Sequence, residues 1–113
     1  MSFFSVLFGS KTSQSNAVTR LNPEDFKKQV EGKKVQLVDV RTPSEFKSGY
    51  IKGAKNIDFF SSKFNVELDK LDKEKPVYVY CRSGNRSRQS AKKMEAMGFV
   101  KIYDLKGGIF NLR

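Results

Sequence analysis

Residues 77–87 read VYVYCRSGNRS. Four β-branched and aromatic residues directly after Pro76 make Val77 to Tyr80 the clearest strand in the chain. Cys81 follows at its carboxyl end. None of Arg82, Ser83, Gly84, Asn85, Arg86 and Ser87 is proline, so each keeps a backbone N–H. Gly84 and Asn85 tolerate positive φ, which lets the loop curl its donors inward. From Ser87 to Met97 the apolar Ala91, Met94 and Met97 recur at helical spacing, and Gly98 supplies a stop. A strand that passes through such a loop into a helix belongs in a parallel sheet, where ligands bind beyond the carboxyl ends of the strands.

The flanks agree. Val35 to Val40 is apolar enough for a strand buried on both faces, and it delivers Asp39 and Arg41 to its carboxyl end. Before it, Ala17 to Arg20 reads as a short strand. Asn22 and Pro23 then read as N-cap and first residue of a helix that runs to Glu31 and stops at Gly32. Thr42, Pro43 and Glu45 have capping-box spacing for a short helix ended by Gly49. Ala54 to Ile57 makes another short strand, and residues 59–71 a loop and a short helix. Val100 to Tyr103 is expected as the last strand, before Gly107 and Gly108. The alternation predicts an α/β fold with four or five parallel strands and helices on both faces.

At 113 residues the chain suits one domain and one site. We expect a body over 17–113 and, over 1–16, a greasy arm in which Phe3, Phe4, Leu7 and Phe8 share a helical face. The arm lacks the basic start and cleavage site of a secretory signal. No apolar run approaches the length of a membrane span, so a soluble, cytoplasmic protein is expected. One cysteine closes no internal disulfide, and with no histidine the commonest zinc ligand sets cannot be assembled; neither metal nor cofactor is expected. The net charge of +10 is spread over lysines mixed with acids, without a long basic block. That reads as a solubilising surface with a pull on anions rather than a specific nucleic-acid site.

Cys81 is therefore a buried filler or a working thiol. A lone cysteine at a strand end is more often the former. Strand, thiol, glycine-containing loop, two arginines and helix start together serve no obvious packing purpose, however, and match the pattern of a site. The reactive species is a thiolate, which inward N–H groups and a helix start are expected to stabilise without a histidine base. A side chain enclosed by hydrocarbon alone would defeat this reading.

Three stretches resemble the rhodanese family: LVDVRTPSEFKSGYIKGAKNI (37–57), CRSGNRS (81–87) and GFVKIYDLKGGI (98–109). The resemblance covers most of residues 17–110. It implies a five-stranded, open, mostly parallel sheet and a two-step sulfur transfer. Cys81 would take a sulfane sulfur from thiosulfate or a persulfide, hold it as Cys–S–SH and pass it to a thiol or to cyanide. On this mapping Arg82, Ser83, Gly84, Asn85, Arg86 and Ser87 form the binding loop, with Arg82 and Arg86 attracting anionic donors. Asp39 and Arg41 shape the pocket wall; Arg41 is also spaced to pair with Glu45, and Ser87 is suited to cap the last helix. Small anions, protein persulfides and thiol acceptors are the expected partners.

The chain departs from the family at Tyr50, where histidine is frequent, and after Gly108, where tryptophan is. Only five residues follow Gly108, so the family's final helix is expected to be short or missing, as in a piece of a longer protein. Two other readings stay open: a thiolate phosphatase or arsenate reductase of the same fold, and a non-catalytic binding module. The first needs five residues between cysteine and arginine, and here four separate Cys81 from Arg86.

Overall fold

The computed structural model describes residues 16–112; of the expected apolar arm over 1–16, residues 1–15 lie outside them. In chain order the elements are β1 (Val18–Leu21), α1 (Pro23–Val30), β2 (Gln36–Asp39), α2 (Pro43–Lys47), β3 (Lys55–Asn56), α3 (Phe64–Asp69), β4 (Val77–Tyr80), α4 (Asn85–Ala96), β5 (Ile102–Leu105) and a 3₁₀ turn (Ile109–Asn111). The five strands form one sheet in the order β1-β5-β4-β2-β3, and every pairing is parallel. Helices cover both faces, as the strand and helix alternation requires.

Strand β4 lies at the centre, and its side chains alternate between two apolar layers. Val77, Val79 and Cys81 face α3 and α4, where Phe64, Leu68, Ala91 and Met94 are buried. Tyr78 and Tyr80 face α1, against Phe26 and Val30. Phe26 meets both tyrosine rings edge to face, at centroid distances of 5.8 and 6.4 Å. Burying each such side chain contributes about 1.5–3 kcal/mol, and burial on both faces is why β4 reads as an unbroken apolar run.

Local signals place the helix starts. Asn22 Oδ1 accepts the Asp25 N–H at 2.8 Å ahead of α1. Ahead of α2, Thr42 Oγ1 accepts from Glu45 N while Glu45 Oε1 accepts from Thr42 N, the reciprocal box expected from the spacing.

Two expectations need correction. The last strand is Ile102–Leu105, not Val100 to Tyr103. Val100 is exposed and its N–H bonds Lys73 O in a turn, so the strand begins only where Ile102 aligns with Val18 and Val77. Helix α4 begins at Asn85, so Ser87 lies inside its first turn and does not cap it. Gly84 takes the N-cap with φ +104°, a conformation open to glycine at little cost.

Candidate active site

Alternation along β4 turns the Cys81 side chain toward α4, the helix that its own loop begins. Its Sγ accepts the Gly84 N–H at 3.0 Å. The left-handed turn at Gly84 makes that approach, so the residue that caps α4 also supplies the donor. Cys81 is 1 % exposed and adjoins the inner apolar layer. Among the described residues the sulfur thus has one amide donor at hydrogen-bond distance, fewer than the ring of N–H groups expected, but it is not enclosed by hydrocarbon alone.

The loop is held from below by the end of the chain. Ile109 N–H donates to Cys81 O at 2.9 Å, and Phe110 N–H to Arg82 O at 3.1 Å. Gly108, at φ +71°, lies so close that a Cβ there would collide with the Arg82 carbonyl and the Ser83 nitrogen. The double glycine therefore lets the 3₁₀ turn press against the loop. Sequence reading had matched Gly107 and Gly108 without giving them a task.

Arg82, Ser83 and Asn85 are exposed at the mouth. Arg82 lies over the Phe110 ring at 5.8 Å and has no carboxylate partner among the described residues. Arg86 is different. It grips Glu45 with two bonds, Nη1 to Oε1 at 2.8 Å and Nη2 to Oε2 at 3.0 Å, and its guanidinium stands 5.7 Å from the exposed Phe60 ring. Its charge is therefore compensated, and of the two arginines expected to draw anions, Arg82 is the one left free. The Arg86 fork holds the Glu45 carboxyl down to about 2.

Asp39 and Arg41 form a buried bidentate pair, with Arg41 Nη2 at 2.6 Å from Asp39 Oδ2 and Arg41 Nε at 3.0 Å from both oxygens. The same Nη2 donates to Gly49 O at 2.6 Å. This corrects the expected pairing of Arg41 with Glu45. Arg41 precedes α2, so helical spacing does not apply to it, and extended chain puts residues two apart on one side. Arg41 and Arg82 line a shared cleft of about 320 Å³ with Glu45, Ser48, Ile109 and Phe110.

Sequence reading missed Asp104. It is fully buried on β5, opposite Val79, and its Oδ1 accepts the Ser87 hydroxyl at 2.6 Å. Ser87 Oγ is also 3.3 Å from Gly84 O. Asp104 Oδ2 has no hydrogen-bond partner among the described residues, and Arg20 Nε stands 3.7 Å away. Burial pushes this carboxyl up to about 6. The signal was an acid inside an apolar strand, KIYDL, which the expected strand limits had placed outside the sheet.

The model of the rhodanese-like domain matches residues 22–113. The chain belongs to the rhodanese-like domain family. It is 36% identical over 106 residues to the uncharacterized protein YqhL of Bacillus subtilis, covering 94% of this chain and 81% of that one. The thiosulfate sulfurtransferase GlpE of Pseudomonas aeruginosa is 34% identical over 94 residues, covering 83% of each. A solved rhodanese-like domain protein from Staphylococcus aureus superposes with a TM-score of 0.72 at 32% identity, covering 83% of this chain and 90% of that one. The solved relative shares the fold described above, and the sulfurtransferase name among the relatives supports an enzyme of that type. No helix among the described residues is long and apolar enough to cross a membrane.

Proposed function

We propose that this rhodanese-like domain is a sulfurtransferase that carries a sulfane sulfur on Cys81, with thiosulfate or a persulfide as donor and a thiol or cyanide as acceptor, in the cytoplasm. The observation that carries the reading is the Gly84 N–H on Cys81 Sγ at the start of α4. A donor at that place can hydrogen-bond the sulfur on which charge collects as the sulfane sulfur is received and passed on.

In the first step the Cys81 thiolate attacks the outer sulfur of thiosulfate. A sulfur–sulfur bond forms as the bond to the sulfonate sulfur breaks, sulfite leaves with that electron pair, and Cys81–S–S⁻ remains. In the second step the acceptor anion attacks the terminal sulfur, and the electron pair returns to Cys81 as thiolate. Arg82, free of a carboxylate partner, attracts the dianion. On this reading the backbone from Arg82 to Arg86 cradles the transferred sulfur, and the Asp39–Arg41 pair shapes the cleft wall. A phosphatase reading fits less well, because Arg86 is engaged with Glu45.

The burial of Cys81 favours one second reading, a binding module that keeps the fold without the reaction. Mass spectrometry after incubation with thiosulfate separates the two. The wild type is expected to gain the mass of one sulfur atom and Cys81→Ser none, with thiocyanate formed from cyanide only by the wild type. If neither protein is modified, the binding reading replaces the enzymatic one.

A further inference from the structure

Two buried polar side chains beside the loop have no part in the steps above. Asp104 and Ser87 are both fully buried and meet at 2.6 Å, a length typical of a hydroxyl donating to a carboxylate. Ser87 Oγ also lies 3.3 Å from Gly84 O, a carbonyl that already accepts the Arg88 N–H at 3.1 Å. Gly84 is the residue whose own N–H reaches Cys81 Sγ. Asp104, Ser87, Gly84 and Cys81 thus make one line of contacts from β5 to the sulfur.

A serine hydroxyl has one proton to give. While Asp104 is ionised it can only accept, so the Ser87 proton lies toward Oδ1, and the Ser87 and Gly84 oxygens face each other with no proton between them. When Asp104 takes a proton from water onto Oδ1, that proton lies toward Ser87 Oγ. The Ser87 proton then turns to Gly84 O, and no other bond changes. Donation now runs unbroken from Asp104 through Ser87 to Gly84.

The surroundings favour the second state. Oδ2 has no hydrogen-bond partner among the described residues, and a buried carboxylate with one bare oxygen is less stable there than a neutral carboxyl. The charged groups that act on it are Arg20 of β1, with Nε at 3.7 Å, and Arg88 of α4. From β4 it faces Val79 and, further along the same face, the Cys81 thiol. On β5 itself that face carries the buried Ile102 and, past the strand end, the exposed Lys106. Burial outweighs both arginines and pushes the carboxyl up to about 6.

We propose that Asp104 is a positioning residue for the transfer: protonated, it holds the Gly84 turn through Ser87 and so keeps the Gly84 N–H on the Cys81 sulfur. Ionisation releases the turn. Gly84, at φ +104° and without a Cβ, is the point of the loop with the most backbone freedom to lose, so an added hold acts there first. This rests on the sulfur-transfer reading and adds to it a group that touches neither donor nor sulfur.

The first readout is the Gly84 amide in proton–nitrogen correlation spectra of the full chain. In the wild type its signal should shift in a step between about pH 5 and about pH 7, where Asp104 titrates. Asp104→Asn, which carries no charge at any pH, should lack the step. So should Ser87→Ala, which keeps the carboxyl and removes the link. The second readout is the single-turnover rate with thiosulfate, taken as the ratio of wild type to Asp104→Asn so that titration of Cys81 cancels. From about pH 5 to about pH 8 that ratio should fall about threefold, the size of one modest hydrogen bond. A merely structural role would lower the rate by the same factor at every pH, and a ratio that does not change with pH overturns the proposal. A Gly84 step that persists in Ser87→Ala overturns it too, since the charge would then act without the hydroxyl. If Asp104→Asn does not fold, wild type against Ser87→Ala decides in the same way. The Gly84 signal needs no sulfur donor. A protein that forms no persulfide, yet shows the step in the wild type and loses it in both variants, sinks sulfur transfer while supporting the link from Asp104 to Gly84.

Discussion

Cys81 and Asp104 project from neighbouring strands toward the same helix, since Asp104 pairs with Val79 and Val79 shares a face with Cys81. Ser87 links them through the loop: its hydroxyl donates to Asp104 while it lies against Gly84 O. The groups charged near Asp104 are Arg20 on β1 and Arg88 on α4, and neither donates a hydrogen bond to it. Burial therefore dominates and raises the carboxyl from its ordinary 3.8 to about 6. A raised folded value means the folded state holds the proton more tightly. The resulting stability is fully present below 3.8 and is lost as pH rises through 6. Between about pH 7.5 and pH 5 the protein should gain roughly 1 kcal/mol from this group alone, by linkage. Asp104→Asn should remove that gain from urea melts taken across the range. An unchanged pH profile would show that Asp104 is ionised throughout.

At the scale of elements, α2 and α4 are joined across the mouth by one ion pair, Glu45 to Arg86, although no packed apolar side chain of α2 is buried. Glu45 also closes the capping box of α2, so a single carboxylate sets that helix and clamps it to the loop helix. Its lowered value means stability present above 4.5 and lost as pH falls toward 2. Because the pair is partly exposed, about 1 kcal/mol is a fair allowance after screening. Glu45→Gln should lower stability by that amount, flatten the acid limb of the pH profile, and free Arg86 to draw anions, lowering KM for thiosulfate a few-fold. Thermal melts and a thiosulfate titration check both halves; a raised KM would mean that the clamp positions the loop. The elements themselves were legible where their signals are local: the apolar run of β4, the Asn22 cap and the Thr42 box. The pairing of Glu45 with Arg86 joins residues 41 apart and was not. Nor were the limits of β5, which are set by Val18 and Val77 rather than by β-propensity, and which alone reveal Asp104 as a buried acid.

Over the whole molecule the formal net charge of +10 acts on any anion that approaches. The sequence placed this charge on mixed, solvated surfaces, and most described lysines are exposed as expected. What composition did not show is that five of them, Lys27, Lys33, Lys34, Lys52 and Lys75, line two clefts that share Lys33 and Lys34. Fields of this kind concentrate anions and raise encounter rates at low salt, and they fade once the screening length falls to about 8 Å near physiological ionic strength. For a thiosulfate dianion, kcat/KM should therefore fall about three- to tenfold as ionic strength rises from about 0.01 to 0.15 M. An uncharged organic polysulfide used as donor should change by less than about twofold over the same range, because nothing steers it. Stopped-flow measurement of the loss of the Cys81 thiol isolates encounter from the acceptor step; thiosulfate leaves Cys81–S–S⁻ and sulfite, the polysulfide a mixed sulfide on Cys81 and a released RS⁻ or RSS⁻. Equal salt slopes for the two donors would mean that neither the wider positive field nor Arg82 draws the anion to the mouth.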